Sequence, residues 1–489
     1  MASALFQVDP RDDVAVALRD LAAGETVAGH GIVEAVPRGH KVALHPIAAG
    51  EAVRKFGFPI GRASRDIEAG AHVHSHNLAT SLRERGDYDW RPTGVAEPQE
   101  PAAAEGFLGY RRADGRVGTR NEIWVIPTVG CVARTAEKIA ARAAARHAGK
   151  VDGIHAFAHP FGCSQLGEDL DGTRGLLAAL ASHPNAGGVL ILGLGCESNQ
   201  LSRLLPGIAE GANVRSLGAQ ESGDELGEGL ALLDELVGIA ARAKRAPVPL
   251  SALVLGVKCG GSDGFSGLTA NPLVGRMSDA VTAAGGTAIL TEIPEIFGAE
   301  HLLMERAADE EVFRGIGSLV NNFKSYFTGH GEGVADNPSP GNIAGGITTL
   351  EEKSLGAVQK GGHAPVTDVI PYGARVRRPG LTLLEAPGND AVSATALAAA
   401  GATAILFTTG RGTPLGFPAP TIKIASNSEL ANRKPGWIDF DAGRALDEGF
   451  EPLADALLDT IRAVASGQET AAERNDEREI AIWKRGVTL

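Results

Sequence analysis

Short apolar runs, rich in Val and Ile and mostly with Gly at or near one end, recur at 122–129, 153–159, 187–194 and 252–257, and again at 287–291, 381–384, 403–407 and 422–425. Runs of this length and composition predict parallel strands buried on both faces. Amphipathic stretches at 135–147 and 225–246 lie between them and predict helices. The fold class expected from about residue 106 onward is therefore α/β, with Rossmann-like parallel sheet. Whether the strands after 249 form one sheet or two is left open by the pattern.

Residues 1–80 follow a different rule. Short strands are expected at 41–44 and 52–56, and the step Ile47-Ala48-Ala49-Gly50-Glu51 is echoed by Ile67-Glu68-Ala69-Gly70-Ala71, which predicts a small β-rich module. Residues 81–105 turn polar and Pro-bearing, without periodicity, and read as an interdomain linker. A further break near Arg245-Ala246-Pro247-Val248-Pro249 divides an α/β domain at 106–248 from a second at 249–489.

Composition narrows the function classes. With 44% apolar and 21% charged residues the chain is ordinary globular protein, and no apolar run approaches the ~20 residues that span a bilayer. A net charge of −13, no basic block and 5% aromatics argue against a nucleic-acid surface. Four cysteines in 489 residues, with no secretory signal at the start, point to a cytoplasmic protein with free thiols.

All four thiols fall where a predicted strand ends: Cys131, Cys163, Cys196 and Cys259, spaced by 32, 33 and 63 residues, about one, one and two βα units. Their recurrence at equivalent points, beside glycines, places them on one rim facing the crevice where such sheets bind ligands. For any one thiol alone, a buried structural cysteine is the favoured reading.

His72-Val73-His74-Ser75-His76 sets three imidazoles on one face of an extended segment, a recurring arrangement for metal ligands. The loop Cys259-Gly260-Gly261-Ser262-Asp263-Gly264-Phe265-Ser266, running on to Asn271, follows a strand and precedes a helix. Its successive N–H groups could cradle a carboxylate, with Ser262, Ser266 and Asn271 as hydroxyl-binding groups and Asp263 among the catalytic candidates. Asn389 and Asp390 end another strand, and Arg411, with Lys423 on the next strand, could clamp a carboxylate. His159, Glu292 and Glu295 are the candidates for proton transfer. The polar, Gly-rich stretch 336–354 reads either as a cover over a site or as packing on the sheet.

Taken in order, these segments resemble the altronate dehydratase and galactarate dehydratase family. The resemblance is carried by residues 70–77 of a SAF-type (β-clip) module, by Gly118-Thr119-Arg120-Asn121-Glu122 and Gly162-Cys163-Ser164-Gln165, and by Gly193-Leu194-Gly195-Cys196-Glu197. It continues through 259–272, 337–342, 386–391 and Glu473-Arg474-Asn475-Asp476. Gly260-Gly261-Ser262-Asp263-Gly264 and the ending Gly486-Val487-Thr488-Leu489 are most similar to the altronate branch, whereas the galactarate branch tends to carry Ala in place of Gly264. Lys258 departs from the altronate pattern, which has an acidic residue before the cysteine.

The resemblance implies a carbon–oxygen hydro-lyase that removes water from D-altronate to give 2-dehydro-3-deoxy-D-gluconate in hexuronate catabolism. It also implies a homodimer, with the 106–248 domain as the dimerising part, and a requirement for ferrous iron, with manganese or another divalent cation as alternatives. The C2 proton of an aldonate is weakly acidic, so cationic stabilisation of the enediolate suits this chemistry. His74 and His76, thiolates of Cys163, Cys196 and Cys259, or a labile iron–sulfur cluster on three of those thiolates are the candidate iron sites. The alternatives are a dehydratase for galactarate or another sugar acid, a sulfo-lyase, and a sugar-acid binding protein without turnover.

Overall fold

The N-terminal module is built from strands of two to six residues. A computed structural model of the chain describes residues 4–90 and 105–489. Leu5–Phe6, Val14–Ala17, Lys41–Ala43 and His72–Val73 form an antiparallel sheet, and Ala52–Lys55, Phe58–Ala63 and Leu78–Ala79 form another. The repeated Ile-x-Ala-Gly step has a structural reason. Ile47 and Ile67 bridge each other through reciprocal 2.9 Å backbone hydrogen bonds, and Gly50 and Gly70 close the two turns at φ +84° and +80°.

Residues 81–90, the described part of the expected linker, have no regular structure but are held to the C-terminal region. Tyr88 donates to Glu300 at 2.6 Å, and Trp90 lies edge-on to Phe313. The rest of that stretch, 91–104, lies outside the described residues.

Two parallel sheets follow. In the smaller, the strands run Ile154–Ala156, Glu122–Pro127, Ala186–Gly193, Val214–Gly218 across the sheet. Helices Ala133–Arg146 and Glu225–Ala240 cover one face through Ile139, Leu233 and Leu236, and Gly167–Ala181 covers the other through Leu176. The larger sheet answers the open question about the strands after 249. They form one seven-stranded sheet in the order Val366–Ile370, Gly380–Leu384, Thr287–Leu290, Val254–Cys259, Ala404–Thr409, Thr421–Ala425, Phe440–Asp441. A shared core that includes Trp124, Leu176, Leu397 and Phe407 joins the two sheets. The break near 245–249 contains a strand, Ala246–Val248, that pairs back on Phe107–Arg111.

Val254–Cys259, the first strand of the large sheet, has a later strand on each side, so the crossovers diverge at its carboxyl end. Crevices for ligands open at such switch points. Among the described residues no helix is long and apolar enough to cross a membrane.

Candidate active site

Cys259 ends the first strand of the large sheet and is buried, as are the two glutamates that follow the neighbouring strand. The Cys259 Sγ donates to Glu295 Oε2 at 3.1 Å, its backbone N–H donates to Glu292 Oε2 at 2.9 Å, and Lys360 Nζ donates to its sulfur at 2.9 Å. Lys353 Nζ lies 2.8 Å from Glu295 Oε1, and Lys258 Nζ lies 3.1 Å from Glu292 Oε1 and 2.9 Å from Asp390 Oδ1. Three ammonium groups therefore face three carboxylates and a thiol at one sheet edge. Balanced charge is what lets so many ionisable groups be buried together.

The two glutamates are pushed in opposite directions. Burial raises the pKa of Glu292, and Lys258 offsets this only in part. Burial also acts on Glu295, but Lys353 and Lys360 outweigh it and hold that carboxyl below its usual value. Burial, with Glu292 and Glu295 beside it, pushes the Cys259 thiol up, so it stays protonated. A pair of carboxyls whose affinities for a proton are separated by their surroundings is the arrangement that divides acid and base roles. Glu292 also sits in the left-handed region at φ 66°, ψ 54°, a strained conformation for a side chain of its size, and its Oε1 has no hydrogen-bond partner despite the nearby Lys258 ammonium. Cys259, Glu292 and Glu295 are also the one group among the described residues with three potential metal-ligand atoms within 4.8 Å of one another.

A second cluster lies in the N-terminal module, against residues 343 and 344 of the C-terminal region. The rings of His72, His74 and His76 come together as their spacing suggests, and His40, from the preceding strand connection, joins them. Ring centroids lie 5.0–5.5 Å apart, and His40 Nδ1 is 3.0 Å from His72 Nε2. His74 Nε2 and His40 Nε2 point at the Ile343 and Ala344 carbonyl oxygens, at 3.0 and 3.4 Å. Burial and mutual repulsion keep His40 and His74 neutral and pull His72 down to about 3.

The segment 337–353 joins the two clusters. Lys353 donates to Asn337 and Asn342 as well as pairing with Glu295, and Asn342 Nδ2 donates to the Ser262 carbonyl at 2.8 Å. The buried Lys41 and Lys55 ammoniums of the N-terminal module both reach Glu352, at 2.8 Å each. A cavity of about 20 Å³ remains beside Ser262, Asn271 and Lys353, under Lys55 and Phe56. That is room for about one water.

The structure places the remaining single-residue candidates as follows. His159 is buried in the small-sheet region with both nitrogens committed, Nε2 donating to the Pro127 carbonyl at 2.8 Å and Nδ1 accepting from Phe161 N–H. Asp263 accepts from Ser266, Ser426, Asn427 and the Phe265 N–H, which makes it the brace of its own loop. Ser266 serves that brace, and Asn271 is spent on the Gly356 carbonyl and the Thr408 hydroxyl. Asn389 caps helix Asp390–Ala399 and Asp390 pairs with Lys258. Lys423 is buried with its ammonium on the Pro414 carbonyl, and Arg411, exposed like Asn389, donates to the Gly341 carbonyl. Ser262 lines the small cavity.

The single rim of thiols is corrected. Cys131, Cys163 and Cys196 are exposed at the carboxyl edge of the small sheet, whereas Cys259 is buried on the large one. Lys353, Lys360 and His40 were not among the candidates from sequence. The only signal for Lys353 was the polar stretch 336–354, and Lys360 lies beyond it.

Comparison with known proteins agrees with this architecture part by part. Residues 3–81 match the altronate/galactarate dehydratase SAF domain, 109–241 the D-galactarate dehydratase/altronate hydrolase second domain, and 250–488 the D-galactarate/altronate dehydratase C-terminal domain. The chain belongs to the altronate/galactarate dehydratase family. Within it, the chain is 50% identical over 493 residues to an altronate dehydratase of Escherichia coli (strain K12) and 48% identical over 495 residues to that of Bacillus subtilis (strain 168). Both matches cover 99% of each chain. It is 36% identical to a galactarate dehydratase (L-threo-forming) of Escherichia coli (strain K12), covering 95% of this chain and 93% of the relative.

Proposed function

We propose that the protein is a hydro-lyase that dehydrates D-altronate to 2-dehydro-3-deoxy-D-gluconate, with Glu292 taking the C2 proton. The observation that carries the role of Glu292 is its pairing with Glu295. One buried carboxyl is held up and strained, the other is held ionised, and three ammonium groups surround both. The substrate rests on the near-full-length similarity to two altronate dehydratases at 48–50% identity, against 36% for the galactarate enzyme.

In this reading Glu292 accepts the proton from C2 as negative charge spreads onto the substrate carboxylate. Lys353 and Lys360, aimed into the same edge, stabilise that charge, because buried ammonium groups act there with little screening by water. An ammonium of this set supplies the proton with which the C3 hydroxyl leaves as water, and the resulting enol ketonises. Lys258 keeps Glu292 oriented through its own bond to Ser393.

Two donor sets could receive ferrous iron: the cysteine set, which has three ligand atoms within 4.8 Å of one another, and the histidines, whose nitrogens would have to draw together around the ion. Cys259, Glu292 and Glu295 are compact enough, but Lys258, Lys353 and Lys360 already answer their charge and the thiol is held protonated. Burial lowers the proton affinity of His40, His72 and His74, and the Nε2 atoms of His40 and His74 rest on backbone carbonyls, as metal-bound histidines characteristically do. When bound there, iron would supply Lewis-acid stabilisation of the substrate's oxygens.

The test is anaerobic turnover of D-altronate with added ferrous iron, following the 2-keto-3-deoxy acid, with galactarate run beside it. Product from altronate alone supports the reading. Product from galactarate alone keeps the reaction and moves the substrate, and product from neither removes it.

A further inference from the structure

The mechanism leaves three of the four cysteines unused. Cys131, Cys163 and Cys196 are all free and all exposed, and each follows the carboxyl end of one of three adjacent parallel strands, with Glu122–Pro127 in the middle. Their loops are tied together. Gly130 N–H donates to the Phe161 carbonyl and Asn199 N–H to the Gly162 carbonyl, both at 2.9 Å, while Asn199 Nδ2 donates to the Thr128 carbonyl at 3.1 Å. Glu197, buried next to Cys196, accepts from Thr128 and from the Leu194 and Gly195 N–H groups, which fixes the third loop against the first.

Every cysteine in this trio follows a glycine or lies beside a special backbone. Gly162 and Gly195 have φ +102° and +132°, and a β-carbon on Gly162 would overlap the Thr128 carbonyl. Ser164, directly after Cys163, is held at φ 57°, one of five non-glycine residues with positive φ among the described residues. The buried Asn199, between the second and third loops, keeps an Oδ1 with no hydrogen-bond partner. Such tightly specified turns, presenting thiols outward instead of into the core, are unusual for cysteines that only fill space.

We infer that Cys131, Cys163 and Cys196 form a site for an iron–sulfur cluster of the cubane type, each thiolate binding a different iron and the fourth iron left without a protein ligand. Two observations select the cluster over a single ion. Among the described residues the three sulfurs do not all lie within 4.8 Å of one another, wider than the ligands of a single tetrahedral ion. A cubane separates its cysteine sulfurs because each binds its own iron. Thiolate is also the ligand type that selects such clusters over hard cations. On uptake of an assembled cluster each thiol loses its proton and gives a lone pair to one iron, and no electron changes hands. The thiol positions expected from sequence are kept for Cys163 and Cys196, while Cys131 takes the place of Cys259, which is buried on the other sheet.

This site deepens the iron requirement of the proposed function but does not depend on which sugar acid is turned over, and its test needs no substrate. The full chain is reconstituted anaerobically with iron and sulfide, then desalted. The expected result is a visible charge-transfer absorption, about four iron and four acid-labile sulfides per chain above any iron held by histidines, and a paramagnetic signal on one-electron reduction. Cys131→Ser, Cys163→Ser and Cys196→Ser each lower retained sulfide at least tenfold, with thermal midpoints matching the unreconstituted wild type, whereas Cys259→Ser retains it. Protein that returns from reconstitution without sulfide overturns the inference. So does a cluster that survives in the triple serine variant or one that is lost in Cys259→Ser. Because sulfide and spectrum are read without turnover, a failure here is distinct from a failure of the dehydratase reading.

Discussion

The carbonyl oxygen of Gly39, in the N-terminal module, occupies the space that a β-carbon on Gly264 would need. The same oxygen would also crowd a side chain at Gly346, so the module sits with its backbone wedged between two glycines of the C-terminal region. His40, the residue after Gly39, reaches the Ala344 carbonyl, and Gly264 itself lines the 20 Å³ cavity beside Lys353.

Gly264→Ala therefore pushes the module off the edge. The expected outcome is destabilisation of about 1–3 kcal/mol, typical of overpacking, read as a lower thermal midpoint, together with faster proteolysis between the module and the rest of the chain. A six-carbon acid does not fit the closed cavity, so substrate entry requires the module or residues 339–346 to withdraw. Altronate added to wild-type protein is expected to change protease sensitivity at the same place.

Glu352 is the buried acceptor for two ammoniums, Lys41 and Lys55, and those ion pairs, despite the opposing cost of burial, hold its pKa at about 2. A folded-state value below the unfolded one means that its stabilisation is fully present above the unfolded value and disappears as pH falls toward 2. Acid unfolding of wild type should show this loss. Glu352→Gln strands two buried charges, and a cost of about 3–5 kcal/mol at neutral pH is expected, with weaker pH dependence on the acid side.

The thiols separate by exposure. In metal-free protein a water-soluble thiol reagent should modify Cys131, Cys163 and Cys196 quickly and Cys259 only on unfolding, because Cys259 is buried and its thiol is held protonated. Mass spectrometry of the labelled peptides checks the assignment.

Iron on the histidines makes a separate prediction. His72→Ala combined with His74→Ala should lower retained ferrous iron at least tenfold, while Glu295→Gln leaves it unchanged. The opposite pattern would move the metal to Cys259, Glu292 and Glu295.

Much of the fold was legible because buried parallel strands are apolar throughout. The runs at 287–291 and 422–425 correspond to strands Thr287–Leu290 and Thr421–Ala425. Val366–Ile370 was missed because it carries Thr367 and the ion-paired Asp368, and Phe440–Asp441 because two residues make no pattern. The site was harder to read. Helix Leu350–Ala357 opens with Leu350-Glu351-Glu352-Lys353 and looks solvated, yet every residue in it is buried, because Glu352 pairs with Lys41 and Lys55 and Lys353 with Glu295. Pairing between residues far apart along the chain leaves no local trace. His159 shows the converse, since a histidine beside a cysteine gives no sign in the sequence that both its nitrogens are bonded in the fold.

Proton removal by Glu292 is the step on which the account turns. Because burial raises its pKa, activity should climb with pH as Glu292 ionises, and Glu292→Gln should remove that limb. The most direct measurement is product formation from D-altronate by iron-loaded wild type and by Glu292→Gln, under anaerobic conditions. The account predicts 2-keto-3-deoxy acid from wild type and a rate lower by about 10²–10⁴ in the variant, the usual contribution of a positioned base. A variant as fast as wild type, or a wild type that leaves altronate untouched, would contradict it.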